Sequence, residues 1–524
     1  LGVLGLVAWG LMTPLRADAP PLSLSRAEAI AAAEQALAAR GITLAPEWRR
    51  LAHPRSALED GTQRRWHEFV WTEAGPEAYR GLVGNALAPP LWDVRFARFE
   101  GTVAERAEEW RVTVAGDGKV RQVVHRLPED RAGARLDRAA AQVIADATLA
   151  AQFGDTAVGL VARGADQSER PARRDWVFAY ADPRVNVGKG GEARVQVALA
   201  GDEVVSSGRS LYVPEAWLRA EEERDGLRQL ARLVAGGIVA ALAVGVLVYA
   251  GVAWSRRRYD ARAFKSMAAL AFVAVLGTTL NTLPSRAFAL STAEPLANQV
   301  ATALLGVAAA GVIVALLLGL VTGIGVHYAR LAPRGTLAGR LPAWACGVMA
   351  ALATAGIAAF LGALAAPAMP IWPDVSDAAP AWPWLRVMFT GLTVIPASAL
   401  TLFFLALLTQ ATAGWTRRLA LVCAVLVLAS AAPGVLAGSD LAQSLAKGAI
   451  EGASTFAFGW LLLRYDLRTV PAFVATGLVL EAVRGACLAP SSTQWLMLAL
   501  VVGVSIVVAA WATRYVGSLS PRSA

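Results

Sequence analysis

"LVAGGIVAALAVGVLVYAGVAWSRRR", Leu233 to Arg258, divides the chain into two chemically different bodies. No charged residue occurs from Leu233 to Trp254, and three consecutive arginines follow Ser255. A helix crossing the ~30 Å hydrocarbon core of a bilayer needs about 20 apolar residues, with every backbone group bonded internally. The stretch therefore predicts a membrane span over 229–253, closed by a basic turn. Upstream, residues from about 20 to 225 are rich in Arg, Glu and Asp; downstream, most residues are Ala, Leu, Val and Gly. The whole chain of 524 residues is 56% hydrophobic and 17% charged, whereas soluble proteins are nearer half apolar and a quarter charged. A polar domain joined to a membrane body fits these averages.

Eight further apolar runs come after it, at 266–283, 297–325, 342–366, 387–412, 418–437, 447–463, 470–488 and 493–513. Lys and Arg crowd every second connection: "SRRRYDARAFK", "HYARLAPRGTLAGR", "TRR", "RYDLR" and "RYVGSLSPR". The alternate connections, "NTLPSRAFALSTAEP", "APAMPIWPDVSDAAPAWPW", "GSDLAQ" and "APSSTQ", hold one Arg among them. By the positive-inside rule, this alternation predicts nine spans with the polar domain outside and the tail 514–524 in the cytoplasm. Trp372, Trp382 and Trp384 read as an interfacial aromatic belt on the outer side. The net charge of +9 is spent beside spans and scattered through the polar domain, with no basic stripe interleaved with aromatics, so no nucleic-acid partner is expected. Cys346, Cys423 and Cys487 all fall in apolar runs without ligand-like spacing, as small buried hydrophobes, and no metal or other cofactor is expected. The chain opens at Leu1 rather than Met, which predicts residues upstream. "LGVLGLVAWGLMTPL" with "ADA" at Ala17 to Ala19 reads as a signal peptide or anchor over 1–19, and either one exports the polar domain behind it.

The polar domain, 20–222, repeats itself. "LSRAEAIAAAEQALAARG" from Leu24 is echoed by "LDRAAAQVIADATLAAQFG" from Leu136. Ser25 with Glu28 forms a capping box, and Asp137 caps the second helix. "RVTVAGDGKVRQVVHRLPED" from Arg111 matches "RVQVALAGDEVVSSGRSLYVPEAW" from Arg194, each a hairpin around a Gly/Asp turn. "WHEFVWTE", "LWDVRFARF" and "RDWVFAYAD" add strands of period two. The expectation is two α+β modules, 24–130 and 136–217, each a helix against a small antiparallel sheet. Such modules resemble the PepSY-type fold, which implies binding or inhibition. His53, His67 and His125 are scattered and read as surface or turn residues.

Near the end of the chain, "IEGASTFAFGWLLLRYDLRTVPAFVATGLVLEA" resembles the catalytic core of the CPBP intramembrane proteases, the CAAX-processing and bacteriocin-processing family, over about Ala397 to Arg484. In that family a helix ends in a "GxLYLRTG"-like turn, and the next helix carries His-x-x-x-Asn/Asp. The resemblance implies a Glu-Glu-x-x-x-Arg motif that activates water, plus imidazoles that hold it and stabilise the oxyanion. This chain departs from that pattern. Leu400 and Thr401 stand for the paired Glu, Leu405 for the Arg, Leu428 and Ala432 for Phe-x-x-x-His, and Gly477 and Glu481 for His-x-x-x-Asn/Asp. The membrane body holds one histidine, His327, beside a basic connection.

The predicted fold class is an α-helical polytopic membrane bundle, with spans over 229–513, carrying an exported α+β tandem-repeat domain. The predicted function is a catalytically degenerate relative of these proteases in the bacterial plasma membrane. Its partners would be the lipid bilayer and a membrane or envelope protein. Glu451 and Glu481 are the carboxylates on which an altered peptidase would depend. Lys447 with Glu451 and Glu481 with Arg484 are predicted polar pairs, lining a cavity or snorkelling to the interface. Arg464, Asp466 and Arg468 read as a turn serving topology and capping. A transporter or channel-like subunit is the further alternative.

Overall fold

The computed structural model describes residues 1–331, 342–364, 369–411 and 466–519, with isolated short pieces between 427 and 457. The chain opens with α1 (Gly2–Met12) and then builds one eight-stranded antiparallel sheet with strand order β1-β2-β3-β4-β8-β7-β6-β5. Its first half is β1 (Arg49–Arg55), β2 (Leu91–Ala97), β3 (Glu109–Ala115) and β4 (Val120–Arg126). The second half is β5 (Val161–Glu169), β6 (Arg174–Ala181), β7 (Glu192–Ala200) and β8 (Glu203–Tyr212). The halves meet through β4 and β8, where the registered pair is Val124 with Ser206.

Each half carries one helix across its face. In α2 (Arg26–Ala38), Ala29, Ala33 and Leu37 pack on Trp92, Val94 and Phe96. In α6 (Arg138–Phe153), Ala141, Ala145 and Leu149 pack on Trp176, Phe178 and Tyr180. Spacing by four places all three side chains on one stripe, and the two alanines let each helix approach the sheet closely. The copies agree down to one tryptophan: Trp92 Nε1 donates to the Leu24 carbonyl at 2.9 Å, and Trp176 Nε1 donates to Leu136 at 3.1 Å. The caps form as the sequence requires, with a complete Ser25–Glu28 box and Asp137 accepting from the Ala140 amide.

"WHEFVWTE" is a helix, not a strand. It lies within α3 (Gly61–Glu73), which Asp60 caps by accepting from the Thr62 and Gln63 amides. The aromatic and β-branched side chains favour a strand locally, but the cap and the burial of His67, Phe69, Val70 and Trp71 outweigh that preference. Beside α3 sits α4 (Gly75–Leu82), and a short α5 (Val103–Ala107) precedes β3.

Seven helices among the described residues are long and apolar enough to cross a membrane. They include α7 (Glu215–Ser255), α8 (Ala261–Arg286), α9 (Leu296–Leu331) and α10 (Ala343–Ala363). A fifth spans Pro383–Leu405 and is built from α11 (Pro383–Leu392) and the start of α12 (Val394–Ala411). The last two spans are formed by α13 (Val470–Leu488) and α14 (Ser492–Ser518). The runs expected at 418–437 and 447–463 lie, apart from the isolated pieces, outside the described residues. The 41 residues of α7 run unbroken from the sheet domain into the membrane body, a rod of ~60 Å at 1.5 Å per residue. Glycine permits the closest helix contact: a Cβ at Gly5 of α1 would overlap the Leu352 carbonyl of α10, and one at Gly356 would overlap Gly5 itself. Cys346 and Cys487 are half-buried rather than core residues, and Cys423 lies outside the described residues.

The start of α8 and the end of α9 gather with Leu467 and Leu519 at one end of the bundle, where Arg330 pairs with Asp260 at 2.5 Å. The turn before α13 joins them, with Arg468 paired to Asp466 and packed beside Gly517. The sheet domain sits on the other end, and three of its arginines hold that end by backbone carbonyls. Arg26 donates to Ser285 Oγ and Ala379 O, Arg95 to Phe288 O and Leu290 O, and Arg106 to Thr292 O and Ala293 O.

Candidate functional site

Arg95 is 5% exposed, and its second nitrogen forms a tight ion pair with buried Glu109. The carbonyls it holds lie just past the C-terminus of α8, where helix dipoles leave partial negative charge. One guanidinium fork thus pairs with a buried acid and binds the α8–α9 connection. A second contact lies beside it. Tyr79 accepts from Trp372 Nε1 at 2.9 Å, and its hydroxyl lies 2.7 Å from His67 Nδ1. His67 is wholly buried, and burial lowers its pKa to about 3, so the ring is neutral. The neutral ring and the Tyr79 hydroxyl share one hydrogen bond at Nδ1. Asp18, just beyond α1, pairs with Arg80 at 2.8 Å and accepts from the Ile371 amide at 2.8 Å.

The histidines are therefore not surface or turn residues. His67 sits at the junction of domain and membrane body, and His53 stacks on Phe288 with centroids 5.7 Å apart. His125 is 6% exposed, stacked on Trp110 at 3.6 Å and flanked by Glu108 and Glu203. Isolated in sequence, each gains its neighbours from strand register or from a loop hundreds of residues away. Trp372 likewise leaves the aromatic belt to join His67 and Tyr79, whereas Trp382 and Trp384 are each 53% exposed.

Glu481 and Arg484 meet at 3.5 Å, one turn apart on α13. They line a cleft of 510 Å³ at the domain-side end of the bundle, with Asp374, Asp377, Arg386 and Gln494. Glu481 is the open member, its side chain 74% exposed. It lies seven residues, ~10 Å, before the end of its helix. Asp377 is bound in an ion pair to Arg386 and accepts from Gln494 Nε2 at 3.4 Å. Burial pushes the Asp377 carboxyl up, and Arg386 beside it pulls the other way. The connection holding Asp374 and Asp377 carries no such signal in the sequence, where its tryptophans dominate. The result is a set of paired charges rather than a free base poised against a water.

Of the positions matched to the protease motifs, Glu481 lines this cleft and Leu400, Thr401, Leu405, Leu428, Ala432 and Gly477 do not. Leu405 packs with Leu402 and Val470, whereas Leu400 is 40% exposed. Ala432 packs against Ala235 of α7, and Leu428 lines the same side. Gly477 and Glu481, four residues apart, face outward together, with no described atom near a Cβ placed on Gly477. Lys447, Glu451 and Arg464 lie outside the described residues. No family model matches the chain, and no similar curated protein or solved structure was found.

Proposed function

We propose that this is a multi-pass protein of a bacterial plasma membrane. Its α+β domain is outside, its Arg-rich end is cytoplasmic, and it works by binding rather than by cleaving peptides. In this reading the bundle is a degenerate relative of the CPBP proteases. The exported domain takes an envelope ligand, and its docked arginines and the continuous rod of α7 carry occupancy into the bundle. The observation that carries this reading is the outward, Arg-paired setting of Glu481. A carboxylate that activates water needs a neighbouring proton-handling group at hydrogen-bond distance, and Glu481 has a permanent cation instead. Packing of α1 on α10, with Asp18 and Ala19 buried beyond it, supports a retained N-terminal helix rather than a cleaved one.

The test is proteolysis by the full chain in liposomes against a peptide library, with Glu481→Gln alongside. No cleavage by either protein is expected. Cleavage by the parent that stops in Glu481→Gln refutes the reading.

A further inference from the structure

At the seam between the two halves of the sheet lies a cavity of 260 Å³. Arg55, Arg121, Arg209, Gln63, Gln152 and Trp66 are among the residues that line it. These come from five elements: the end of β1, β4, β8, α3 and the end of α6. Three arginines line one space, and no Asp or Glu lines it.

The acids nearby are already engaged. Arg55 has Asp60 at 3.6 Å and Asp93 at 4.0 Å, so its charge is partly met. Arg121 donates to the Gly84 and Asn85 carbonyls, both at 2.5 Å, which orients the group without neutralising it. Asp117, the acid acting on Arg121, is bound to Lys119 at 2.8 Å. Arg209 rests 5.6 Å from the Phe153 ring centroid, and its guanidinium has no hydrogen bond or ion pair among the described residues. Asp182, the acid acting on it, is bound to Arg184 at 2.7 Å. Burial lowers the pKa of both Arg121 and Arg209, and each also repels a neighbouring cation. Both remain charged, because an arginine never loses its proton in a protein at ordinary pH. Converging cations that no acid neutralises are costly to keep half-buried unless an anion joins them.

We propose that this cavity is a binding site for a small oxyanion carrying two or more negative charges, held between Arg121 and Arg209. This deepens the binding role proposed above and rests on it. Guanidinium forks match phosphoryl and carboxylate oxygens two at a time. The volume falls below the ~300–1,000 Å³ usual for pockets of drug-sized ligands, which suits a compact anion or a charged headgroup. Position gives the ligand its effect. β4 and β8 are the strands that join the two repeats, so an anion shared by Arg121 and Arg209 fastens that seam. Trp66 on the cavity wall precedes His67, which touches Trp372 of the membrane body, so the same helix meets ligand and bundle.

The experiment titrates inorganic pyrophosphate into the full chain in phosphatidylcholine nanodiscs at constant ionic strength, read by calorimetry. Saturable binding at one site is expected, at least 10-fold weaker in Arg209→Gln. Gln63→Glu, which adds a carboxylate to the wall and leaves both arginines, should abolish it. Repetition in phosphatidylglycerol nanodiscs separates the sources. An unchanged apparent Kd means a free anion is the ligand, and a raised one means the lipid headgroup competes for the same arginines. No saturation in phosphatidylcholine, or equal binding by the parent and both variants, overturns the proposal. Peptide cleavage would overturn the binding role without touching this result, so the two failures are distinct.

Discussion

Replacing Arg95 by alanine should undock the sheet domain from the membrane body. The substitution removes two hydrogen bonds to carbonyls, at 2.8 Å to Phe288 and 2.6 Å to Leu290, and the main partner of buried Glu109. Breaking a buried ion pair from one side costs about 3–5 kcal/mol, because the remaining charge stays out of water. Arg111 at 3.5 Å and Arg126 at 3.9 Å still face Glu109, which lowers that figure here. The lost bonds to the carbonyls add about 1 kcal/mol each, for a total of about 3–5 kcal/mol. At ~2–4 °C per kcal/mol for a domain of this size, the unfolding midpoint should drop by ~6–20 °C. Tryptophan fluorescence on heating the detergent-solubilised chain reads the midpoint, and hydrogen exchange of the 286–294 segment reads docking. Arg95→Met with Glu109→Leu should regain much of the loss, because no charge is left stranded, yet the segment should still exchange faster than in the parent. A midpoint drop under ~2 °C in Arg95→Ala, or unchanged exchange in that segment, refutes the docking argument.

Protonation of His67 opposes the fold, since its folded pKa of about 3 lies below the value of an exposed ring. Its contribution is complete above pH ~6.5 and is lost as pH falls toward 3, by up to ~1.4 kcal/mol per unit. A pH series of unfolding midpoints should show this slope, and His67→Phe should flatten it. Tyr79→Phe leaves both Trp372 Nε1 and His67 Nδ1 without partners. It should cost about 2–4 kcal/mol by denaturant unfolding, at the cost usual for stranded buried polar groups. Gly356→Leu forces α1 away from α10. Disulfide trapping between cysteines placed on the two helices should be efficient in the parent and lost in that variant.

The repeat is legible in the sequence because its signals are local. Capping residues, Gly/Asp turns and the i, i+4, i+8 stripe each act within a few residues, and all recur in both copies. The joining of the copies into one sheet is not legible there. It depends on β4 finding β8 some eighty residues on, through side chains that carry no pairing code of their own. α3 misleads for a related reason: its aromatic residues are strand formers in isolation, and only the Asp60 cap and the packing of Tyr79 and Trp372 settle the matter. The apolar run through 387–412 hides a break at Thr393 between two helices.

Glu481 marks where sequence reasoning reaches its limit in a membrane chain. A carboxylate within an apolar run announces that it must face protein, water or the interface. Its pairing with Arg484 comes from helical spacing alone. Which way that face turns depends on how α13 packs against its neighbours, and small residues decide this: the Thr469 carbonyl lies against Gly347 of α10, where a Cβ would overlap it. That contact and the burial of Ala472 and Ala475 turn one side of α13 inward, leaving Gly477 and Glu481 on the other. A larger residue at position 347 would push the start of α13 away from α10. The cleft shared by Glu481, Asp377 and Arg386 thus depends on glycine and alanine positions that do not line it.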